Sequence, residues 1–587
     1  MKRFLAIILF MGTVLALNAQ NRTIIGTVQD ATSGESLPGV NVLLKGTTRG
    51  VITDFEGVYS IEASDGDILV FSFVGYLPQE ITISGQTTID VRMELDIAGL
   101  EEVVVIGYGT VKKKDLTGAV SVVGSETISE LKPIKAEQAL QGTVTGVNVT
   151  TQSGAPGAGL DIRIRGISTN LDASPMVIID GCQGDMSLLN PNDIESVTVL
   201  KDAQAAIYGT IGANGVILVT TKKGSKNTPT KVSFNSSYGI QETTRMLPLL
   251  NATEYAVLLN ESYAASGKAL PFPDISGLGV GTNWQEQLFE KAPMVSNDIS
   301  VLGGTDKVAY SISASDLRQK GIIGSDKTGF NRKTARINIT GDLYDWLSFN
   351  TNLFYVNQDR QSINDFALGS VLFNAVNMPP TLPVYDENNE YYLAPGNLGI
   401  EIINPLAQIA NTFNEYTLNK LNGNFSLDAH FASHFTATAR VGVNTTNDLG
   451  KSFSKIVDYG GKVFDIPRSS VTQNRNSFND YTFDLFTSYD NTIQDMHHIT
   501  VTLGTSVFQD WGSHLGATGY DIPYNSWEFA DITLADGVGE SKAVSSWVWD
   551  QRRLSYFGRA QYDYQGKYLV SAMLRRDAST KFGPDNA

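Results

Sequence analysis

The stretch "RLSYFGRAQYDYQGKYLVSAMLRR", residues 553–576, contains the pattern that recurs through the second half of this 587-residue chain. Apolar and aromatic residues recur at alternate positions on both sides of a Gln-Gly-Lys turn: Leu554, Tyr556, Ala560, Tyr562, Tyr564, then Tyr568, Val570, Ala572 and Leu574. Alternate residues of a β-strand share one face. The stretch therefore predicts a hairpin of two long strands, each with one apolar and one polar face.

The same alternation is found across residues 227–587, for example in "DKVAYSISAS", "TARINITGDLYDWLSFNTNLFYVNQ", "YTFDLFTSY" and "HITVTLGTSV". Segments of about ten residues with one apolar face and tyrosines near the turns are typical of transmembrane β-barrels. A large soluble sandwich alternates in the same way, so periodicity alone does not separate the two folds.

Residues 113–226 have a different pattern, because apolar runs alternate there with short helical segments. "AEQALQ" (136–141) predicts a helical turn, "PMVIIDG" (175–181) a buried strand, and "GVILVTT" (215–221) another strand. Between them, "NPNDIESVTVLKDAQAAIYG" predicts a turn, a strand at 197–200 and a short helix that ends near Gly209. The sequence predicts a compact α+β domain of normal size.

Residues 22–96 contain short strand-like runs separated by Gly, Asp, Ser and Pro turn signals. This spacing predicts a small β-sandwich. Ahead of it, residues 1–20 combine a basic start, an apolar stretch from Phe4 to Leu17 and a small residue at Ala19, which is the pattern of a secretory signal peptide.

Composition and charge limit the partners and the fold class that this chain can have. The formal net charge of −17 disfavours nucleic acid as a partner. The single cysteine, Cys182, excludes an intrachain disulfide framework in this chain. With 55 glycines, 26 Phe and 23 Tyr, the chain favours a mainly β protein.

The linker at residues 97–112 carries the run Val103 to Ile106 inside "LEEVVVIGYGTVKKKD". Such a run has high β-propensity and little local charge, so it aggregates unless a partner strand covers it. It is either a strand of a neighbouring domain or a strand kept for another protein.

The sequence matches catalytic and metal-binding motifs only weakly. "HFASH" (430–434) has the spacing of a zinc motif, but the surrounding alternation indicates a hairpin turn. "YDENNEYY" (385–392) is acidic and is predicted as a solvated loop, with Ca²⁺ as the less favoured alternative. Gly-x-Ser-x-Gly and the P-loop are absent, and "GLGVG" does not follow a strand. We therefore expect neither an enzyme nor a cofactor.

The order of motifs carries a family resemblance. After the sandwich come "EEVVVIGYGTVKKKDLTGAVSVV", "SGAPGAGLDIRIRG", "VIIDG", "NPNDIESVTVLKDAQAAIYG", "GANGVILVTTKKG", "LGGTDKVAYSISASDLRQKGII" and "LRRDASTKFGPDN". Together they resemble the SusC-like (RagA/SusC) class of TonB-dependent outer-membrane receptors of Bacteroidetes-type bacteria. The sandwich resembles the carboxypeptidase-regulatory-like domain.

This resemblance implies a plug at 113–226 inside an antiparallel transmembrane barrel that begins at 227. It also implies that Glu102, Val103, Val104, Val105 and Ile106 form the TonB box, which pairs with TonB. The implied function is TonB-energised import of a glycan or peptide across the outer membrane of a Gram-negative cell. The N-terminal domain would be periplasmic, a SusD-like surface lipoprotein would be a partner, and outer-membrane lipid would surround the barrel.

Three further expectations follow. At about ten residues per strand, residues 227–587 supply only around half of a barrel of about 22 strands, so we expect a fragment truncated within the barrel. Arg163 and Arg165 are expected to face the inner barrel wall. Two alternative functions remain, a signal-transducing TonB-dependent receptor and an exported β-sandwich adhesin or scaffold.

Overall fold

The computed structural model describes residues 22–31, 34–47, 49–73, 76–94, 103–112, 118–167, 169–170, 172–365, 368–395, 401–494, 496–536 and 542–582. The predicted signal peptide and Glu102 lie outside these residues. The chain forms two compact units. The first extends to Val104 and includes residues 110–116, and the second contains Val105–Gly109 and everything from Thr117 onward.

The first unit contains a β-sandwich, as the sequence predicts. Its strands are β1 (Arg22–Asp30), β2 (Asn41–Leu44), β3 (Gly50–Ile52), β4 (Val58–Ala63), β5 (Ile68–Ser72), β6 (Gln79–Thr82) and β7 (Val91–Met93). They form one sheet of order β4-β1-β7 and a second of order β3-β2-β5-β6. Alternate residues of both sheets, among them Val28, Tyr59 and Phe71, meet in one buried core.

A separate two-stranded sheet pairs β8 (Val103–Val105) with β9 (Thr110–Lys112). The Ile-Gly-Tyr-Gly segment that joins them, Ile106–Gly109, belongs to the second unit and is called the hairpin tip below.

The plug domain, residues 118–221, is built on a five-stranded sheet of order β10-β15-β16-β13-β14 and a pair β11-β12. The strands are β10 (Val120–Gly124), β11 (Val147–Thr151), β12 (Leu160–Ile164), β13 (Met176–Ile179), β14 (Cys182–Gln183), β15 (Ile194–Leu200) and β16 (Val216–Thr221). Helix α1 (Ser125–Leu131) and 3-10 segments at Ala136–Leu140, Met186–Leu188, Pro191–Asp193 and Asp202–Asn214 connect them.

The short helix that the sequence predicts to end near Gly209 has a different type and length in the structure. It is a 3-10 segment that continues past Gly209 to Asn214, with a kink where Gly209 has φ +74°. Only glycine adopts this backbone conformation at little cost, which explains why the residue reads as a helix end in the sequence.

The third element is an antiparallel sheet of eleven strands in sequential order, called the wall below. Its strands are β17 (Thr228–Gln241), β18 (Ala292–Gly304), β19 (Val308–Lys320), β20 (Gly329–Tyr344), β21 (Leu347–Gln361), β22 (Thr412–Phe431), β23 (Phe435–Ser454), β24 (Ser470–Ile493), β25 (His497–Tyr520), β26 (Lys542–Tyr564) and β27 (Tyr568–Ser579). Sequential antiparallel order is consistent with part of a β-barrel.

Connections at the two ends of the wall differ in length. Turns of two or three residues join the strands at 305–307, 345–346, 432–434, 494–496 and 565–567. Long connections at 242–291, 321–328, 362–411, 455–469 and 521–541 join them at the other end. The long connections hold α2 (Ala252–Ala265), α3 (Trp284–Leu288), α4 (Val371–Asn377), α5 (Pro405–Ala410) and 3-10 turns at Trp527–Phe529 and Ile532–Leu534. "HFASH" lies at a short turn, as predicted.

The two faces of the wall have different surroundings. On β20, Arg336 is buried and contacts the plug domain, whereas its neighbour Ile337 is exposed on the opposite face. Phe354 and Val356 of β21 belong to the same buried cluster as the plug core. The plug-facing side of the wall thus combines polar residues such as Arg336 with the apolar Phe354 and Val356, and the opposite face exposes apolar residues such as Ile337. Among the described residues, no helix is long and apolar enough to cross a membrane.

Candidate functional site

The hairpin tip begins directly after β8. The backbone N–H of Ile106 donates to the carbonyl of Gly109 at 3.0 Å, which closes the turn. Gly107 has φ +79°, and a Cβ at this position would press on the side chain of Ile207 in the plug. Glycine is thus required at position 107 both for the turn and for the close approach.

The tip is buried between the plug domain and the wall. Ile106 is 2% exposed and Tyr108 is 7% exposed. The Tyr108 ring stacks on Phe557 of β26 at 4.1 Å between centroids, contacts Phe486 of β24 edge-on at 5.4 Å, and lies 6.0 Å from Tyr208 of the plug. Burial raises the pKa of Tyr108, which keeps its hydroxyl neutral. Tyr108 is therefore an aromatic anchor shared by plug and wall.

A wall arginine holds the backbone of the tip. One terminal nitrogen of Arg559 donates to the carbonyl oxygen of Ile106 at 2.7 Å. A Cβ on Gly109 would lie 3.0 Å from the same guanidinium, so Gly109 leaves room for it. The last residue of the predicted TonB box, Ile106, is thus tied to the wall by a charge-assisted bond.

Other wall arginines bind the plug in the same way, through backbone carbonyls. They donate at 2.7–3.3 Å: Arg332 to Ser187, Arg336 to Lys222, Arg440 to Gly181 and Arg575 to Ile207. Because the acceptors are main-chain oxygens, these contacts fix the path of the plug backbone without specifying its side chains.

The "NPND" segment of the plug meets an acidic wall residue. The side-chain amides of Asn190 and Asn192 donate to Asp298 of β18 at 2.6 and 3.1 Å. Asp193 is buried close to Arg336, and burial raises the pKa of its carboxyl. The segment that reads as a turn in the sequence is therefore also a docking element.

Cys182 lies at the plug surface against the wall. A Cβ at Gly442 of β23 would overlap the Cys182 sulfur, so the wall glycine accommodates the plug thiol. Burial raises the pKa of Cys182 to about 12. The thiol is thus shielded and protonated while the plug is seated.

The described residues of the predicted TonB box are divided between β8 and the hairpin tip. Val103, Val104 and Val105 form β8, whose partner among the described residues is β9 alone, so its other edge is open to a further strand. Both backbone polar groups of Ile106 are already used within the second unit. Tyr108 and Arg559 are absent from the sequence-based set of site residues. The only sequence signal for Tyr108 is an aromatic residue between two glycines.

Arg163 and Arg165 make polar contacts within the plug, and the expectation that they face the inner barrel wall stays a prediction. Arg163 hydrogen-bonds the Ile162 carbonyl, Asp161 and Ser174, and Arg165 forms an ion pair with Asp202, all of them plug residues. Arg165 also lies beyond the end of β12 with φ +56°, so the two side chains do not share a strand face. Within the described ranges there is no cluster of three or more His, Cys, Asp or Glu that could hold a metal ion.

Comparison with protein families agrees with this organisation. Residues 112–216 match the TonB-dependent receptor plug domain, and residues 24–105 match the CarboxypepD_reg-like domain.

Relatives extend the likeness to nearly the whole chain. TonB-dependent receptor P26 of Formosa agariphila is 34% identical over 97% of this chain and 57% of its own length. TonB-dependent receptor SusC of Bacteroides thetaiotaomicron is 32% identical over 99% of this chain and 59% of its own length. The solved structure of the RagAB peptide importer in the open-open state superposes with a TM-score of 0.71 at 25% identity, covering 83% of this chain and 57% of that one. The chain thus spans a little over half the length of these relatives, and it belongs to the SusC-like TonB-dependent receptors.

Proposed function

We propose that this chain acts in the energised import of a large nutrient, a glycan or a peptide, through an outer-membrane receptor. The plug blocks the passage along the inner wall, and a pull on the predicted TonB box dislodges it. The cell would be a Gram-negative bacterium, with the sandwich in the periplasm and outer-membrane lipid around the apolar outer face of the wall. TonB would bind the chain from the periplasm, and a SusD-like lipoprotein would bind it at the cell surface.

The observation that carries this proposal is the burial of the hairpin tip between plug and wall, directly after β8. A protein that only adhered or signalled through its sandwich would not need a buried connection between β8, the plug and the wall. A transporter needs one, because force applied at β8 must reach the plug.

The open edge of β8 supports strand addition as the means of engagement. A partner strand would pair with Val103–Val105 through main-chain hydrogen bonds, which depend little on side-chain identity. Roughly two to four such bonds, at a net of about 0.5–1.5 kcal/mol each, give a contact that forms and releases readily. Extending the pairing to Ile106 would require its release from Arg559.

Val104→Pro in the intact receptor tests the proposal. Proline removes one backbone donor and disfavours a central strand position, so we expect the energised uptake to be lost. Expression, heat-modifiable folding and binding of the surface lipoprotein should be unchanged. Val104→Ile is the matched control, because it keeps the N–H and the β-propensity and should transport normally. Wild-type uptake by Val104→Pro would show that β8 is not the coupling strand.

A further inference from the structure

A group of aromatic side chains lies on the plug-facing side of the wall, towards its long connections. On β23, the side-chain amide of Asn444 donates to the carbonyl of Gln183 in the plug at 2.9 Å. In the strand register, Asn444 lies opposite Asp480, which lies opposite Asp510, which lies opposite Gln551. Phe478 of β24 and Trp549 of β26 lie on the same face, two residues closer to the long connections than this row. His514 of β25 and Trp547 of β26 lie four residues closer. We call Phe478, His514, Trp547 and Trp549 the aromatic platform.

The rings of the platform form two contacting pairs. Trp547 stacks on His514 at 3.7 Å with an interplanar angle of 20°, and Trp549 packs on Phe478 at 5.4 Å. A Cβ at Gly512 would overlap the Trp549 indole, so this glycine lets the ring lie against β25. Even so, Phe478 is 44% exposed, and Trp547, on the stretch of β26 that pairs with β25 alone among the described residues, is 55% exposed. Aromatic surface held in place yet left open on an inward face is a feature of binding sites.

A row of hydrogen-bonded polar groups crosses the same strands beside the rings. The Asn476 amide donates to Asp448 at 2.7 Å, so its oxygen faces Nδ1 of His514 at 2.6 Å. Nδ1 of His514 then donates to this oxygen, and Nε2 lies 3.3 Å from the Ser545 hydroxyl. The row thus holds the orientation of the imidazole and supports its stack with Trp547.

We propose that the aromatic platform binds an oligosaccharide, with the C–H face of a sugar ring on the exposed indole of Trp547 and its hydroxyls on the polar row. Sugars offer this combination of an apolar face and a dense edge of hydroxyls, and aromatic faces next to neutral hydrogen-bonding groups complement both. The platform and its row contain one carboxylate, Asp448, which already accepts from Asn476, and no lysine or arginine; Asp480 and Asp510 lie two residues away on the same face. The carboxylate end of a peptide would therefore find no cationic partner among the platform residues. This inference rests on the proposed import function and names its substrate class.

The test is equilibrium binding by calorimetry to the intact purified receptor, with four hexasaccharides as probes: α-1,4-glucan, β-1,4-glucan, β-1,3-glucan and β-1,4-mannan. Hexa-alanine is the peptide probe. We expect at least one hexasaccharide to bind, and Trp547→Ala and Trp549→Ala each to weaken it about tenfold or more. Trp547→Phe, which keeps a smaller ring, should lie between these variants and the wild type.

Trp511→Ala is the matched control. Trp511 lies on β25 within the same stretch of wall, but it packs edge-on against Tyr481 on the opposite face. Its loss should leave sugar binding unchanged. Absence of binding by all four hexasaccharides, equal loss in Trp511→Ala, or hexa-alanine binding that Trp547→Ala abolishes would each overturn the proposal. The uptake assay of Val104→Pro tests the import function, and the binding assay tests the sugar site. Each hypothesis can therefore be rejected without rejecting the other.

Discussion

Removing the ring of Tyr108 should free the hairpin tip without unfolding the rest of the protein. The ring is 7% exposed and has three aromatic neighbours, two on the wall and one on the plug. Truncation of a buried aromatic side chain to alanine costs about 3–5 kcal/mol. The Arg559 bond to the Ile106 carbonyl remains in Tyr108→Ala, so we take the lower end of that range for local opening of the tip.

Hydrogen exchange of the Ile106 amide measures this opening, because its N–H is bonded to Gly109 within the tip. A loss of about 3 kcal/mol corresponds to faster exchange by roughly a hundredfold, since each 1.4 kcal/mol is about a factor of ten. Tyr108→Phe keeps the stacking and loses only the hydroxyl, so its exchange should accelerate by no more than about tenfold. Amides in β24 and β25 are the internal reference. An Ile106 amide that exchanges in Tyr108→Ala as slowly as in the wild type would show that the ring does not hold the tip.

Three further predictions concern buried residues of the plug and of the wall that holds it. Arg336→Met leaves the Lys222 carbonyl and the Thr221 hydroxyl without their guanidinium donor, so the plug should become protease-sensitive with a loss of about 1.5–3 kcal/mol, whereas Lys333→Met, on the exposed face of the same strand, should be neutral. Burial raises the pKa of Glu137 above its ordinary value, so its contribution to stability is greatest below the ordinary carboxyl range and falls as pH rises through the folded-state pKa. Glu137→Gln should therefore raise the plug's melting temperature at pH 7–8 and change it little near pH 4; a gain that persists at low pH would contradict this. Cys182 should resist maleimide at pH 8 in the resting receptor and become labelled during energised transport but not in Val104→Pro, as read by peptide mapping; rapid labelling at rest would refute its shielding by the wall.

The strands of the wall could be predicted from the sequence because apolar and polar residues alternate along them. In β20 the alternation of Ile337 and Ile339 with Arg336 and Asn338 is visible in the sequence and predicts two faces. It does not tell which face is inside, since a sandwich core and a lipid-facing band both select isoleucine. The contact of Arg336 with Lys222 decides the question, because it ties the polar face to the plug.

The site was less predictable because it depends on contacts between distant parts of the chain. Arg559 and Ile106 are 453 residues apart, and nothing local to either of them indicates the other. The run Val103–Val105 is recognisable by its β-propensity, whereas Tyr108 is a single ring between glycines. Strand alternation likewise assigns Arg163 to a polar face but does not identify its partners, which include Asp161 and Ser174 of the plug itself.

Chain order and sheet order together indicate which part of the plug a pull at β8 would reach first. Beyond the tip and β9, the next described strand along the chain is β10, and β10 is one of the two edge strands of the plug sheet, paired on one side with β15. An edge strand can leave a sheet by breaking a single row of hydrogen bonds, whereas β15 and β16 are each paired on both sides. The arginine contacts described above hold the plug elsewhere, at Gly181, Ser187, Ile207 and Lys222, and none of these residues lies in β10. The proposed pull would therefore act first on an edge strand of the plug sheet that none of these arginine contacts holds, while the wall arginines hold other parts of the plug.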